Sequence, residues 1–288
     1  MKKIIISIVL VSSFLPFGWT SDIDTLRGEK DSFLSTLNST IQASIPSILT
    51  VKKNGSIYLQ SEENLSFSFN ISYSEVNSSL FDTFDNNFTL LDYRRLFEMP
   101  CLKWPLISGN FILMFPSRWL LTTYVKGWMG SENISPTTLG AGGSILYELT
   151  EENSIYIGVK TGLGYNYWTG NYSKSREISI DGNQYNAKFG FDGSYHGPSV
   201  EVIFEKSFFF LNSYARLNYT YMWGKMDSFL EVENLIEKTV NSSSKEIQGL
   251  VLSGGIEIML ALLNINLEFG MNVLSSSVYV DAGVRIGL

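Results

Sequence analysis

The chain has 288 residues, 14% of them aromatic, and a formal charge of −7. That acidic balance argues against a nucleic-acid partner, and a single cysteine, Cys101, excludes an intrachain disulfide framework. One histidine, His196, leaves little room for a His-rich metal site, so neither metal nor cofactor is expected.

At the N-terminus, Lys2 and Lys3 precede an apolar run over residues 4–17, followed by small residues near Gly18. This pattern predicts a signal peptide over residues 1–21 and export of the chain. The run is shorter than the ~20 residues a spanning helix needs. The nearest later window, residues 250–267, is interrupted by Glu257, Asn264 and Asn266.

Residues 22–63 form an N-terminal extension. Phe33, Leu34, Leu37, Ile41 and Ile45 recur at helical spacing, and Lys53-Asn54-Gly55 reads as a hairpin turn. A periplasmic extension, a plug inside a barrel and a loose leader are the three placements open to it.

From residue 64 the period becomes two. Leu65, Phe67, Phe69, Ile71 and Tyr73 alternate with Ser66, Ser68, Asn70, Ser72 and Ser74. The same alternation recurs to the last strand, where Val278, Val280, Ala282, Val284 and Ile286 oppose Tyr279, Asp281, Gly283 and Arg285. Repeated segments of about ten alternating residues in an exported chain predict an all-β fold, an antiparallel up-and-down transmembrane barrel in the bacterial outer membrane. The expected strands number ten, at 64–77, 88–115, 118–130, 137–150, 153–171, 184–206, 207–227, 246–260, 263–274 and 278–288. Short turns alternate with long polar loops at 77–87, 130–136, 170–184 and 227–246, and several strands are long enough to project outward as hairpins. Pro100 and Pro105 threaten the ladder of the second strand.

Several short motifs resemble one family, the omptins, outer-membrane proteases that cut next to basic residues. They are Leu91-Asp92-Tyr93, Ile107-Ser108-Gly109 followed by Phe115-Pro116, Gly127-Trp128, and the run Tyr219-Thr220-Tyr221-Met222-Trp223-Gly224. The resemblance covers about residues 64–288. It implies a ten-stranded barrel and a mouth where an Asp pair on the second outer loop faces an Asp-x-His on the fourth. In this chain the second outer loop holds one acid, Glu132, and the fourth holds Asp227, Glu231, Glu233 and Glu237 without a histidine. Glu132, Asp227 and His196 are therefore the catalytic candidates, with Glu132 and Asp227 as a carboxylate pair across the mouth and His196 as a base.

A second set of charges falls on the inward face of the expected strands: Glu148, Lys160, Glu201, Arg216, Glu257, Glu268, Asp281 and Arg285. In a narrow barrel they read as a packed, salt-bridged network filling the lumen. The function expected first is a non-catalytic surface barrel with an acidic mouth that binds or serves structure. An endopeptidase with rearranged acids and a narrow channel are the alternatives. The expected partners are outer-membrane lipid, including lipopolysaccharide, and basic peptides or host or extracellular proteins, with the protein itself a monomer.

Overall fold

The computed structural model describes residues 22–50, 65–75, 103–115, 118–128, 137–150, 157–260 and 263–287. They form one helix, α1 (Asp22–Thr50), and ten strands: β1 (Leu65–Glu75), β2 (Lys103–Phe115), β3 (Trp119–Trp128), β4 (Thr137–Thr150), β5 (Gly158–Ile180), β6 (Asn183–Phe208), β7 (Leu211–Val232), β8 (Ile236–Leu260), β9 (Leu263–Asn272) and β10 (Ser277–Gly287). Each strand pairs antiparallel with its chain neighbours, and β1 pairs with β10, from Ser66↔Gly287 to Glu75↔Val278, so the sheet closes.

The barrel is inside out relative to a soluble core. Phe69, Ile71 and Leu163 are 57%, 62% and 69% exposed, whereas Asn70, Glu268 and Arg285 are 0%, 0% and 1% exposed. In β9 every apolar residue faces out and every polar one faces in. Water would penalise such a surface; a hydrocarbon layer accepts it, and closure leaves no unpaired strand edge in the lipid. Aromatic residues bracket the band. Phe115, Trp119, Tyr147 and Phe208 ring the end with short turns, and Tyr73, Tyr165, Tyr167, Tyr219 and Trp223 ring the other. A closed antiparallel barrel of even strand number with an apolar belt and two aromatic girdles is an outer-membrane barrel.

The strands fall into two length classes. β1, β2, β3, β4, β9 and β10 have 10 to 14 residues, close to the ~9–11 that cross a bilayer. The other four run from 22 to 26 residues and rise together as a four-stranded wall outside the membrane. β4 leaves β5 at Thr137↔Asn171, and β9 leaves β8 at Val251↔Asn272; beyond those points, among the described residues, only β5, β6, β7 and β8 continue.

Within the wall the apolar phase switches sides. In the membrane-spanning part of β7, Leu217, Tyr219 and Trp223 face out; above it Met222, Met226, Leu230 and Val232 face in. On β6 the outward Val200 and Phe204 give way to inward Tyr195, Phe191 and Phe189. The inward residues above the membrane meet α1, whose Leu26, Phe33, Leu34, Leu37, Ile41, Ile45 and Ile48 form one buried cluster with them. A helix of 29 residues spans about 43 Å and lies inside the outer half of the barrel, against β5, β7, β8 and β10. The largest apolar core therefore sits above the lipid, and the lumen below it is mostly polar, with a small apolar cluster of Ile112, Leu120, Leu146 and Ile203 toward the short-turn end.

Two expectations from the sequence are corrected here. Residues 170–184 and 227–246 are not loops. β5 and β6 continue to a two-residue turn at Asp181-Gly182, with φ of 50° and 78°, and β7 and β8 continue to a turn at residues 233–235. Only glycine takes φ 78° without strain, and Asp-Gly is a preferred pair for this tight hairpin turn. β2 is described from Lys103, so the expected start at residue 88 lies outside the described residues; Pro105 lies above Ile107↔Gly127, the outermost described pair with β3, so its missing N–H costs that described ladder nothing. Pro100 and the loops expected at 77–87 and 130–136 lie outside the described residues.

Candidate functional site

Two regions carry chemistry: the lumen beneath α1 and the wall above the membrane. In the lumen Arg285 Nε lies 3.0 Å from Glu257 Oε1, Lys160 Nζ 2.9 Å from Glu205 Oε2, and Arg216 Nη1 3.7 Å from Glu268 Oε1. Glu268 also accepts from two buried phenols, Tyr214 at 2.7 Å and Tyr279 at 2.6 Å. Glu201 and Asp281 are buried on the same inner surface, and Glu148 is half-buried toward the short-turn end. Charges so fully removed from water hold together only as pairs and networks. Glu205 and Lys126 belong to this inner set and were missed in the sequence; strand parity carried the signal for both, since they sit in phase with Glu201 and Thr122.

At the mouth α1 is fastened by polar contacts amid its apolar core. Gln42 donates to the Tyr195 hydroxyl at 2.7 Å and to Ser243 Oγ at 3.2 Å. Asn38 donates to the Asn241 carbonyl at 3.0 Å, and Ser228 donates to the Leu34 carbonyl at 3.0 Å. Ser47 and Ser277 share a hydroxyl contact near the C-terminal end of the helix. There, Lys126 donates its ammonium to the Leu49 carbonyl, one of the carbonyls a helix end leaves without an intrahelical partner. Pro46 packs against Gly249, where any Cβ would meet the proline ring.

The two catalytic candidates among the described residues, His196 and Asp227, do not converge on the mouth. His196 faces the outside of β6 in the outer aromatic girdle, with Nδ1 2.5 Å from the Tyr165 hydroxyl and its ring 4.9 Å from that of Trp223. Asp227 is also turned outward. Because β7 continues as a strand, Met226 and Ser228 take the inner face and Asp227 the outer one, 2.8 Å from Lys225. Hydrogen bonds from Lys225 and Ser242 hold its carboxyl below the usual carboxylate range. Its expected place in a carboxylate pair across the mouth is thus corrected by the extra turns of ladder. Glu132 lies outside the described residues. Near the tip of the wall, Lys188, Glu231, Glu233 and Glu237 line an open, mostly acidic cleft of about 840 Å³ together with Ser175 and Asn186. Among the described residues no three His, Cys, Asp or Glu side chains are grouped to hold a metal ion.

No protein-family model matches the chain, and no curated protein matches its sequence. Several solved structures of outer-membrane proteins are similar to it at low scores. The outer membrane protease OmpT from Escherichia coli aligns over 81% of this chain and 100% of its own, at 9% identity and a TM-score of 0.44. The translocator domain of the autotransporter NalP from Neisseria meningitidis aligns over 89% and 97%, at 9% identity and a TM-score of 0.38. The KdgM porin aligns over 77% and 99%, at 10% identity and a TM-score of 0.36. Function is therefore argued from this chain's own residues.

Proposed function

We propose that the protein is a non-catalytic, non-conducting surface barrel that holds a four-stranded wall outside the outer membrane and binds its partner there. The observation that carries this reading is the filled interior: α1 occupies the mouth, and the Arg285–Glu257, Lys160–Glu205 and Arg216–Glu268 pairs pack the lumen below. On this reading the helix and the ion pairs take up the space a water column would need. What it offers instead is a raised surface whose tip carries Glu231, Glu233 and Glu237, a sign of charge that attracts basic peptides or basic patches of extracellular proteins. The outer girdle of Tyr165, His196 and Trp223 faces the outer-leaflet lipid, lipopolysaccharide included.

Two measurements on the purified, lipid-reconstituted protein test this. In a planar bilayer the full chain should insert without discrete conductance steps, and steps would establish the channel reading. An Arg/Lys-containing peptide should survive incubation with it, and cleavage that is lost on Asp227→Asn would establish the protease reading.

A further inference from the structure

α1 has a direction, and its first residue lies farthest from the membrane. Its contacts climb the wall in reverse chain order. Pro46 meets Gly249, which pairs with Thr220 of β7; Gln42 reaches Ser243, which pairs with Met226; the Leu34 carbonyl accepts from Ser228. Asp22 lies twelve helical residues before Leu34, a further rise of about 18 Å, or about five residues of strand. From the level of Ser228 that rise reaches the turn at residues 233–235. Ile23 packs against the same cluster as Leu235, Ile178 and Tyr185, which flank the two outer hairpin turns. The helix therefore begins at the tip of the wall, outside the membrane.

Its other end is inside the ring. The Leu49 carbonyl accepts from Lys126, and Lys126 is level with Ser108 and, across β2, with Asn70. Asn70 sits three positions below Tyr73 of the outer girdle and five above Leu65, where β1 begins beside the short turns. Fifteen positions of chain lie between Thr50 and Leu65, a reach of up to about 50 Å. The strand distance from Asn70 to Leu65 is only about 17 Å. A path around the outside would leave backbone N–H and C=O groups unpaired in hydrocarbon. A path through the side would need a gap, and every strand of the described sheet is paired on both sides. A chain that is outside at residue 22 and at the inner rim at residue 65 has crossed the outer membrane before its first strand. It has done so through the ring that its later strands build.

We propose that this barrel carries its own N-terminal segment through the outer membrane and displays at the tip of the wall whatever sequence precedes Asp22. The cargo is polypeptide in an extended or helical form, because a ten-stranded ring is too narrow for a folded domain. Docking makes the passage one-way. Once outside, the apolar face of α1 (Phe33, Leu37 and Ile41) is buried against Phe189, Met226 and Leu230, and the expulsion of water there holds the segment out. This inference does not depend on what the wall binds.

Cells carrying the full chain in their outer membrane test it, with Cys101 replaced by serine and the compact unboiled gel band read in every sample. A Cβ at Gly28 meets no atom within 4 Å, so Gly28→Cys sets a thiol on the exposed face of α1 without disturbing its packing. On intact cells an impermeant thiol reagent should label Gly28→Cys as it labels Glu233→Cys at the tip. Phe209→Cys, at a fully exposed short turn, should label only after permeabilisation. An epitope inserted between Ser21 and Asp22, and retained in the folded band, should bind antibody on intact cells. A small disulfide-closed domain placed behind that epitope should abolish the surface signal, and replacing its cysteines with serine should restore it. The proposal is overturned if Gly28→Cys or the epitope is reached only after permeabilisation, or if Phe209→Cys labels on intact cells. Display of the closed domain as efficient as that of its open form overturns it too. Conductance or peptide cleavage would overturn the surface-barrel reading and leave this result standing by itself.

Discussion

Lys126→Met is the most informative single change in the molecule. α1 has no basic residue of its own in its last turn. The barrel supplies one: Lys126, 1% exposed, reaches the Leu49 carbonyl and lies 4.8 Å from the centre of the Tyr124 ring. A hydrogen bond to a charged group contributes about 1.5–3 kcal/mol net. A cation at a partly buried helix C-terminus contributes up to about 2 kcal/mol, and the two overlap. Relief of the buried ammonium offsets part of the loss. The net cost to α1 docking is then about 2 kcal/mol, an increase of roughly 30-fold in the undocked population. Ser44, fully buried on α1, gives the probe. With Cys101, the sole cysteine, replaced by serine, a Ser44→Cys chain should react slowly with an aqueous thiol reagent, in proportion to the open fraction. Adding Lys126→Met should speed labelling by about 30-fold while the barrel keeps its compact gel mobility. A rate within twofold of the parent would refute the capping argument.

Other outcomes follow from the same geometry. Gly249→Ala places a methyl group against Pro46, and overpacking of about 1–3 kcal/mol should raise Ser44→Cys labelling by at least about fivefold. Arg285→Met leaves Glu257 charged in the lumen and should destabilise the barrel by about 3–5 kcal/mol, read as a lower temperature for loss of the compact gel band. Adding Glu257→Gln to it should recover part of that loss. Ser47→Cys with Ser277→Cys, whose hydroxyls touch in the wild type, should form a disulfide on mild oxidation and so tie α1 to β10, read as suppressed labelling of a third cysteine at Ser44.

The membrane part of the fold was legible in the sequence because its contrast is high. β9 sets Leu263, Ile265, Leu267, Phe269 and Met271 against Asn264, Asn266 and Glu268, and period two cannot be mistaken there. The wall was not legible for two physical reasons. Its apolar phase switches at Met222 and Trp223, so a stripe followed along the odd residues of β7 ends at Trp223 and reads as the end of the strand. Serines at 242, 243 and 244 then offer no contrast of either phase. The Asp181-Gly182 turn was in plain sight inside a segment taken for a loop. The misplaced Asp227 follows from the same error, since the side a residue faces is defined only once its strand is known. α1 showed its helical spacing, but the partners that hold it lie far along the chain, 153 positions between Gln42 and Tyr195, and no local pattern reports that.

The switch of phase means that one chain folds in two solvents. Below Trp223 the apolar faces meet hydrocarbon and closure supplies the stability, whereas above it the core of Phe33, Phe189 and Met226 is held by the expulsion of water. Urea weakens the second force and barely reaches the first. The protein should therefore melt in two stages, shedding α1 and slackening the wall while the embedded ring stays closed. A barrel so built can lose and regain its outer architecture without ever leaving the membrane.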